Sequence, residues 1–214
     1  MRTRKRNRGN FSRVITSHII NNLRAYLSVL LVFLIGIVLG VIVINNSGTE
    51  QISQINEYIN NFISDLKEYG EIDKSTLLAE TFFNNLYLIL ALWFVGSTVI
   101  GIPIVYGMVA YKGFCLSYTI SSSIITLGVW NGTVFSLASM LLQNIIYIPC
   151  MLALAVSGIR LYKSILKDKR RENIKFEILR HIMFSALIGA IMLLGTLVET
   201  YISTNLIMSF VKII

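Results

Sequence analysis

The sequence predicts an all-α fold: a polytopic transmembrane helical bundle of about five spans with an amphipathic extracytoplasmic helix. Three observations carry this expectation. Of 214 residues, 55% are hydrophobic and only 14% are charged, whereas a soluble chain carries about a quarter charged residues. Apolar runs of spanning length recur along the chain, as a hydrocarbon layer of ~30 Å requires. The charges between those runs are segregated by sign.

The net charge of +8 would suit a nucleic-acid binder if the bases formed one patch. They form two clusters instead. Arg2, Arg4, Lys5, Arg6, Arg8, Arg13 and Arg24 precede the first apolar run, with no acid among them. Arg160, Lys163, Lys167, Lys169, Arg170, Arg171, Lys175 and Arg180 surround a later loop. Short basic clusters beside apolar runs are the signature of cytoplasmic segments. A multi-pass protein of the cell membrane with a cytoplasmic N-terminus is therefore expected, with lipid and not nucleic acid as its partner.

Taken in order, residues 1–25 read as a cytoplasmic basic interfacial segment; Phe11, Val14, Ile15, Ile19 and Leu23 share one helical side, which suits anionic lipid. Residues 26–44 form span 1. It begins after 25 residues and no small-residue cleavage site follows it, so it reads as an uncleaved signal anchor. Gly36 and Gly40 within it form a GxxxG pair, which lets a second helix approach closely, in the same chain or in a homodimer.

Residues 45–85 carry seven acids against two lysines, which places this loop outside the cell. Ile52, Ile55, Ile59, Phe62, Leu66 and Tyr69 recur at spacings of three and four, a helix with one apolar stripe stopped at Gly70. The stripe can pack on the membrane or bundle, or serve as a docking surface for an extracytoplasmic partner. Ser75 reads as the N-cap of the helix that follows.

Residues 86–110 form span 2, kinked at Pro103, and Lys112 marks the return to the cytoplasm. Residues 114–130 form span 3, short and rich in hydroxyls, as suits a helix buried among others. Asn131 and Gly132 signal a turn. Span 4 covers 134–159 and holds Gln143, Asn144 and Pro149 near its middle; the two amides read as interhelical hydrogen-bond groups beside a kink, or as the lining of a polar cavity. Residues 160–181 form a cytoplasmic basic loop, with eight bases and three acids from 160 to 180. Span 5 covers 182–198, where Ser185 with Gly189, and Ala186 with Ala190, are small-residue pairs for helix packing. The tail, 199–214, is too short to recross comfortably; it is expected outside, at the interface or folded back on the bundle.

No set of residues points to catalysis. Cys115 and Cys150 fall in apolar runs and read as packing residues. His18 and His181 sit beside basic clusters, where contact with head groups or solvent is expected. HExxH, CxxC, P-loop and GxSxG patterns do not occur. No acid is expected at mid-depth, which argues against a proton relay. The expectation is a non-enzyme without metal or cofactor.

Several short motifs in order resemble the stage II sporulation protein M family. They are the run from Ser17 to Tyr26 (SHIINNLRAY), the end of span 1 from Ile35 to Gly40, the triplet Lys112, Gly113 and Phe114, and above all Leu142 to Pro149 (LQNIIYIP), similar to the family's "PQN…IP" helix. Leu142 stands where the family pattern has proline, so a second local kink is not expected there. The resemblance covers roughly residues 15–200. It implies a non-enzymatic scaffold in a spore-forming bacterium. Such a scaffold holds a peptidoglycan lytic transglycosylase and an amidase at the septal, mother-cell membrane during engulfment of the forespore. Relatives also occur in bacteria that do not sporulate. The alternative is a transporter- or channel-like membrane domain, supported by the hydroxyl-rich third segment, the mid-membrane amides and the two prolines.

Overall fold

A computed structural model describes Ile20, residues 22–69, 73–96, Thr98, and residues 101–167 and 174–212. These contain helices and no strand. In order they are α1 (Leu23–Asn45), α2 (Thr49–Tyr69), α3 (Lys74–Gly96), α4 (Gly101–Leu127), α5 (Val129–Ser136), a π-helical turn (Leu137–Leu141), α6 (Leu142–Lys167), α7 (Ile174–Val198), a second π-helical turn (Glu199–Ser203) and α8 (Thr204–Val211). Most of the expected N-terminal interfacial helix, including His18, lies outside the described residues.

Four stretches are long and apolar enough to cross a membrane: Leu23–Asn45, Lys74–Gly96, Asn144–Leu166 and Lys175–Val211. Helix α4 has 27 residues, about 40 Å at 1.5 Å per residue, but its hydroxyls and Lys112 make it less apolar. Its most extensive packing is against α1. The other side of α1 is a continuous apolar surface that includes Leu27, Leu31, Leu34 and Val38, far more than water tolerates.

Helices α1 and α4 run parallel. The pair Gly36 and Gly40 makes this possible. A Cβ on Gly36 would lie 2.9 Å from the carbonyl carbon of Ala110 and 3.0 Å from its Cα; on Gly40 it would lie 2.6 Å from the carbonyl oxygen of Phe114. Backbone therefore rests on backbone, and the GxxxG pair is occupied within the chain, not by a second copy. Ser28 and Tyr106 hydrogen-bond across the same interface at 2.9 Å. The core beneath includes Val29, Leu92, Val105, Val109, Met151, Leu154 and Met192.

The segment expected as span 2, 86–110, is not one helix. It is divided between the end of α3 and the start of α4. The chain reverses so tightly that a Cβ on Gly101 would meet the carbonyl carbon of Val95 at 2.6 Å, and Thr98 Oγ1 donates to the Val95 carbonyl at 2.8 Å. Pro103 then falls in the first turn of α4, where its missing amide has no partner to lose; it starts a helix and kinks none. Lys112 consequently lies eleven residues inside α4.

The next reversal is at Gly128, with φ 81°, not at Asn131 and Gly132, which lie inside α5. Gly132 is small for another reason: a Cβ there would lie 2.7 Å from the amide nitrogen of Ile124 in α4. Helices α6 and α7 also extend into the expected basic loop, 160–181, from both sides. Asp73, not Ser75, caps α3. Its Oδ1 accepts from the Ser75 amide at 3.0 Å and its Oδ2 from Thr76 Oγ1 at 2.5 Å.

Candidate functional site: an acidic cap and a charged centre

One end of the bundle carries a second, smaller core. Ile59, Ile63 and Leu66 of α2 meet Phe135 of α5 and Phe210 and Val211 of α8, with Leu127 at the end of α4 packed alongside. Phe135 is central, with ring centroids 6.4 Å from Phe62 and 6.0 Å from Phe210. Burial of each large side chain is worth about 1.5–3 kcal/mol, so four separate segments are held as one cap. Polar contacts fix its register: Gln51 Nε2 donates to Tyr118 Oη at 3.0 Å, Thr126 Oγ1 donates to Asn56 Oδ1 at 2.7 Å, and Lys74 Nζ donates to Asn205 Oδ1 at 3.3 Å. The expected tail, 199–214, thus contributes α8 to the cap.

The apolar stripe of α2 faces inward, which corrects its reading as the partner-facing surface. Ile59 and Leu66 are buried, Ile52 and Ile55 are half-buried, and Phe62 packs edge-on against Phe135. The side chain of Tyr69 lies outside the described residues. What α2 presents outward is acidic: Glu50, Glu57, Asp65 and Glu68 are exposed, with Tyr58 among them. At the α4–α5 reversal Val129 and Trp130 are exposed, Trp130 at 80%.

Beside the cap lies a charged centre. Lys112 Nζ sits 5.1 Å from the centroid of the Tyr147 ring, a cation–π arrangement. Glu199, in the second π-helical turn, is near enough for its charge to act on Lys112. Glu199 Oε2, Tyr147 Oη and Asn85 Nδ2 are buried without a hydrogen-bond partner among the described residues. Glu199, expected at the outer end of span 5, is thus half-buried with one carboxylate oxygen enclosed. The signal was present in the sequence: Lys112 is the only base between Lys74 and Arg160, and Glu199 the only acid after Glu177.

The remaining expected packing residues are distributed as follows. Asn144 Nδ2 donates to the Met140 carbonyl one turn earlier at 2.8 Å, so its amide secures the π-helical turn and bridges no helices among the described residues. The side chain of Gln143 lies outside the described residues. Pro149 is inside α6. Gly189 faces Ile89 of α3, its would-be Cβ 3.2 Å from that side chain, and Ser185 is buried one turn away. Ala186 and Ala190 are exposed. His181, expected in contact with head groups or solvent, is only 4% exposed, and its Nδ1 lies 2.8 Å from Ser157 Oγ. Both cysteines are free. The described residues contain no group of three or more His, Cys, Asp or Glu able to hold a metal ion.

An all-helical bundle with four membrane-length apolar helices and a polar cap defines the class: an integral membrane protein. The chain belongs to the stage II sporulation protein M family, whose model matches residues 29–204. It is thus a sporulation-related membrane protein. No curated protein and no solved structure matches the chain.

Proposed function

We propose that this protein is a non-enzymatic membrane scaffold that recruits peptidoglycan-degrading enzymes, a lytic transglycosylase and an amidase, to the septal membrane for engulfment of the forespore. Five helices cross the bilayer: α1, α3, α4, α6 and α7. The basic segment before α1 and the loop between α6 and α7 are cytoplasmic, and the cap is outside, facing the cell wall. Sign segregation of the loops supports this orientation. The observation that carries the docking role is the two-sided character of α2: its apolar stripe closes the cap core, which leaves an ordered acidic face beside Val129 and Trp130 for a partner. Tethering two enzymes to one membrane site makes their encounters intramolecular and raises their effective concentration.

The test is capture of both enzymes from membranes of engulfing cells, read by mass spectrometry. A variant with Glu57, Asp65 and Glu68 changed to Lys and Trp130 to Ala should insert and melt as the parent does, yet lose capture. Undiminished capture rejects the cap as the dock.

The charged centre favours a second reading, a transporter- or channel-like domain, since buried intramembrane charges commonly mark solute or ion paths. Glu199→Gln separates the two. The scaffold reading predicts retained capture; the transport reading predicts changed ion flux in proteoliposomes with capture unaltered or irrelevant.

A further inference from the structure

We propose that the cavity between α2 and the second half of α4 binds an uncharged lipid of the diacylglycerol type, its chain among the cap's apolar residues and an ester carbonyl on Ser122. The cavity measures about 570 Å³, within the range of about 300–1,000 Å³ typical of small-molecule sites. Its lining combines apolar Ile55, Ile59, Phe62, Phe135 and Met140 with polar groups that include Gln51, Tyr118 and Ser122.

The serine and threonine hydroxyls that line it are committed, with one exception, and the Tyr58 hydroxyl at its rim belongs to an exposed side chain. Thr119 Oγ1 donates to the Cys115 carbonyl, Ser123 Oγ to the Thr119 carbonyl and Ser139 Oγ to the Ser136 carbonyl. Tyr118 Oη accepts from Gln51. Ser122 is 5% exposed, and its Oγ has no partner among the described residues. A buried hydroxyl without a partner is costly, and a ligand carbonyl would satisfy it.

Charge selects the head group. No Lys, Arg, Asp or Glu lines the cavity, and the exposed Glu50 and Glu57 of α2 flank it, so an anionic phosphate head is disfavoured. Position selects a lipid over a peptide. The Gln51–Tyr118 contact places the cavity at the end of α1, where the lipid-facing bundle gives way to the polar cap. That is the depth at which a bilayer's ester groups lie.

The experiment uses the full chain in phosphatidylcholine nanodiscs with a diacylglycerol bearing a diazirine in its acyl chain. Photolabelling should concentrate on α2 and the second half of α4. Unlabelled diacylglycerol should compete for it, and phosphatidic acid should not. Ser122→Ala should reduce the competed labelling roughly two- to tenfold. Ser122→Phe should abolish it while labelling of the lipid-facing Leu31, Leu34 and Val38 of α1 persists, which reports intact insertion. Labelling no stronger on α2 and α4 than on α1, equal competition by phosphatidic acid, or unchanged labelling in either variant overturns the proposal.

Discussion

The α1–α4 interface offers the sharpest test of how this bundle is held together. In Gly36→Ala the new methyl would lie 2.9 Å from the Ala110 carbonyl carbon and 3.0 Å from its Cα. Carbon atoms pack best at about 3.5–4.0 Å, so the helices must separate by about 1 Å. The obstacle is backbone, which cannot rotate aside as a side chain would. The cost therefore falls at the upper end of the overpacking range, about 3 kcal/mol. For a chain of this size each 1 kcal/mol shifts Tm by about 2–4 °C, giving a loss of about 6–12 °C. The control is Gly107→Ala in α4, where a Cβ meets nothing within 4 Å and Tm should hold or rise slightly. Thermal unfolding of the detergent-purified proteins, followed by circular dichroism, gives the comparison. Equal melting of the two variants would refute the claim that Gly36 is a point of backbone contact.

Other consequences follow from individual contacts. Ser157→Ala removes the partner of His181 Nδ1 inside the bundle and should cost about 1–3 kcal/mol, measured by the same melt. Phe135→Ala empties the centre of the cap core at about 3–5 kcal/mol; hydrogen exchange should accelerate in α2 and α8 and change little in α1. Hydrogen bonds from Thr76 and Ser75 hold the Asp73 carboxyl below its ordinary value. Its contribution to stability is thus present above the ordinary carboxylate range and is lost as pH falls through the lower folded value. The parent should lose more stability than Asp73→Ala between pH 5 and pH 2, read by amide exchange at the start of α3.

The apolar runs and the sign of the loops announce the all-α class and the acidic helix, because lipid and backbone hydrogen bonding leave few alternatives. The reversal between α3 and α4 is hidden for a physical reason. Residues 86–110 carry no charge and are mostly apolar, and hydropathy does not register a turn made inside such a stretch. Gly96, Gly101 and Pro103 were the available signs, and they read equally well as a kink. Gly132 misleads in the opposite sense, since a glycine that admits a neighbouring helix resembles one that makes a turn. The α2 stripe was legible as a stripe, but periodicity alone cannot say which surface it meets. Phe135 and Phe210, its partners, are 76 and 151 residues beyond Ile59. The motifs from Lys112 to Pro149 pointed to the correct family, while Lys112 and Glu199 came together only through the fold.

The cap also imposes an order on biogenesis. Its core joins α2, α5 and α8, and α8 leaves the ribosome after α6 and α7. Until then the apolar stripe of α2 lacks the cover that Phe210 and Val211 give it. A nascent or truncated chain would present that stripe to chaperones and proteases, and the finished one hides it. Closure of the cap thus distinguishes a chain folded through α8 from one that has not reached it.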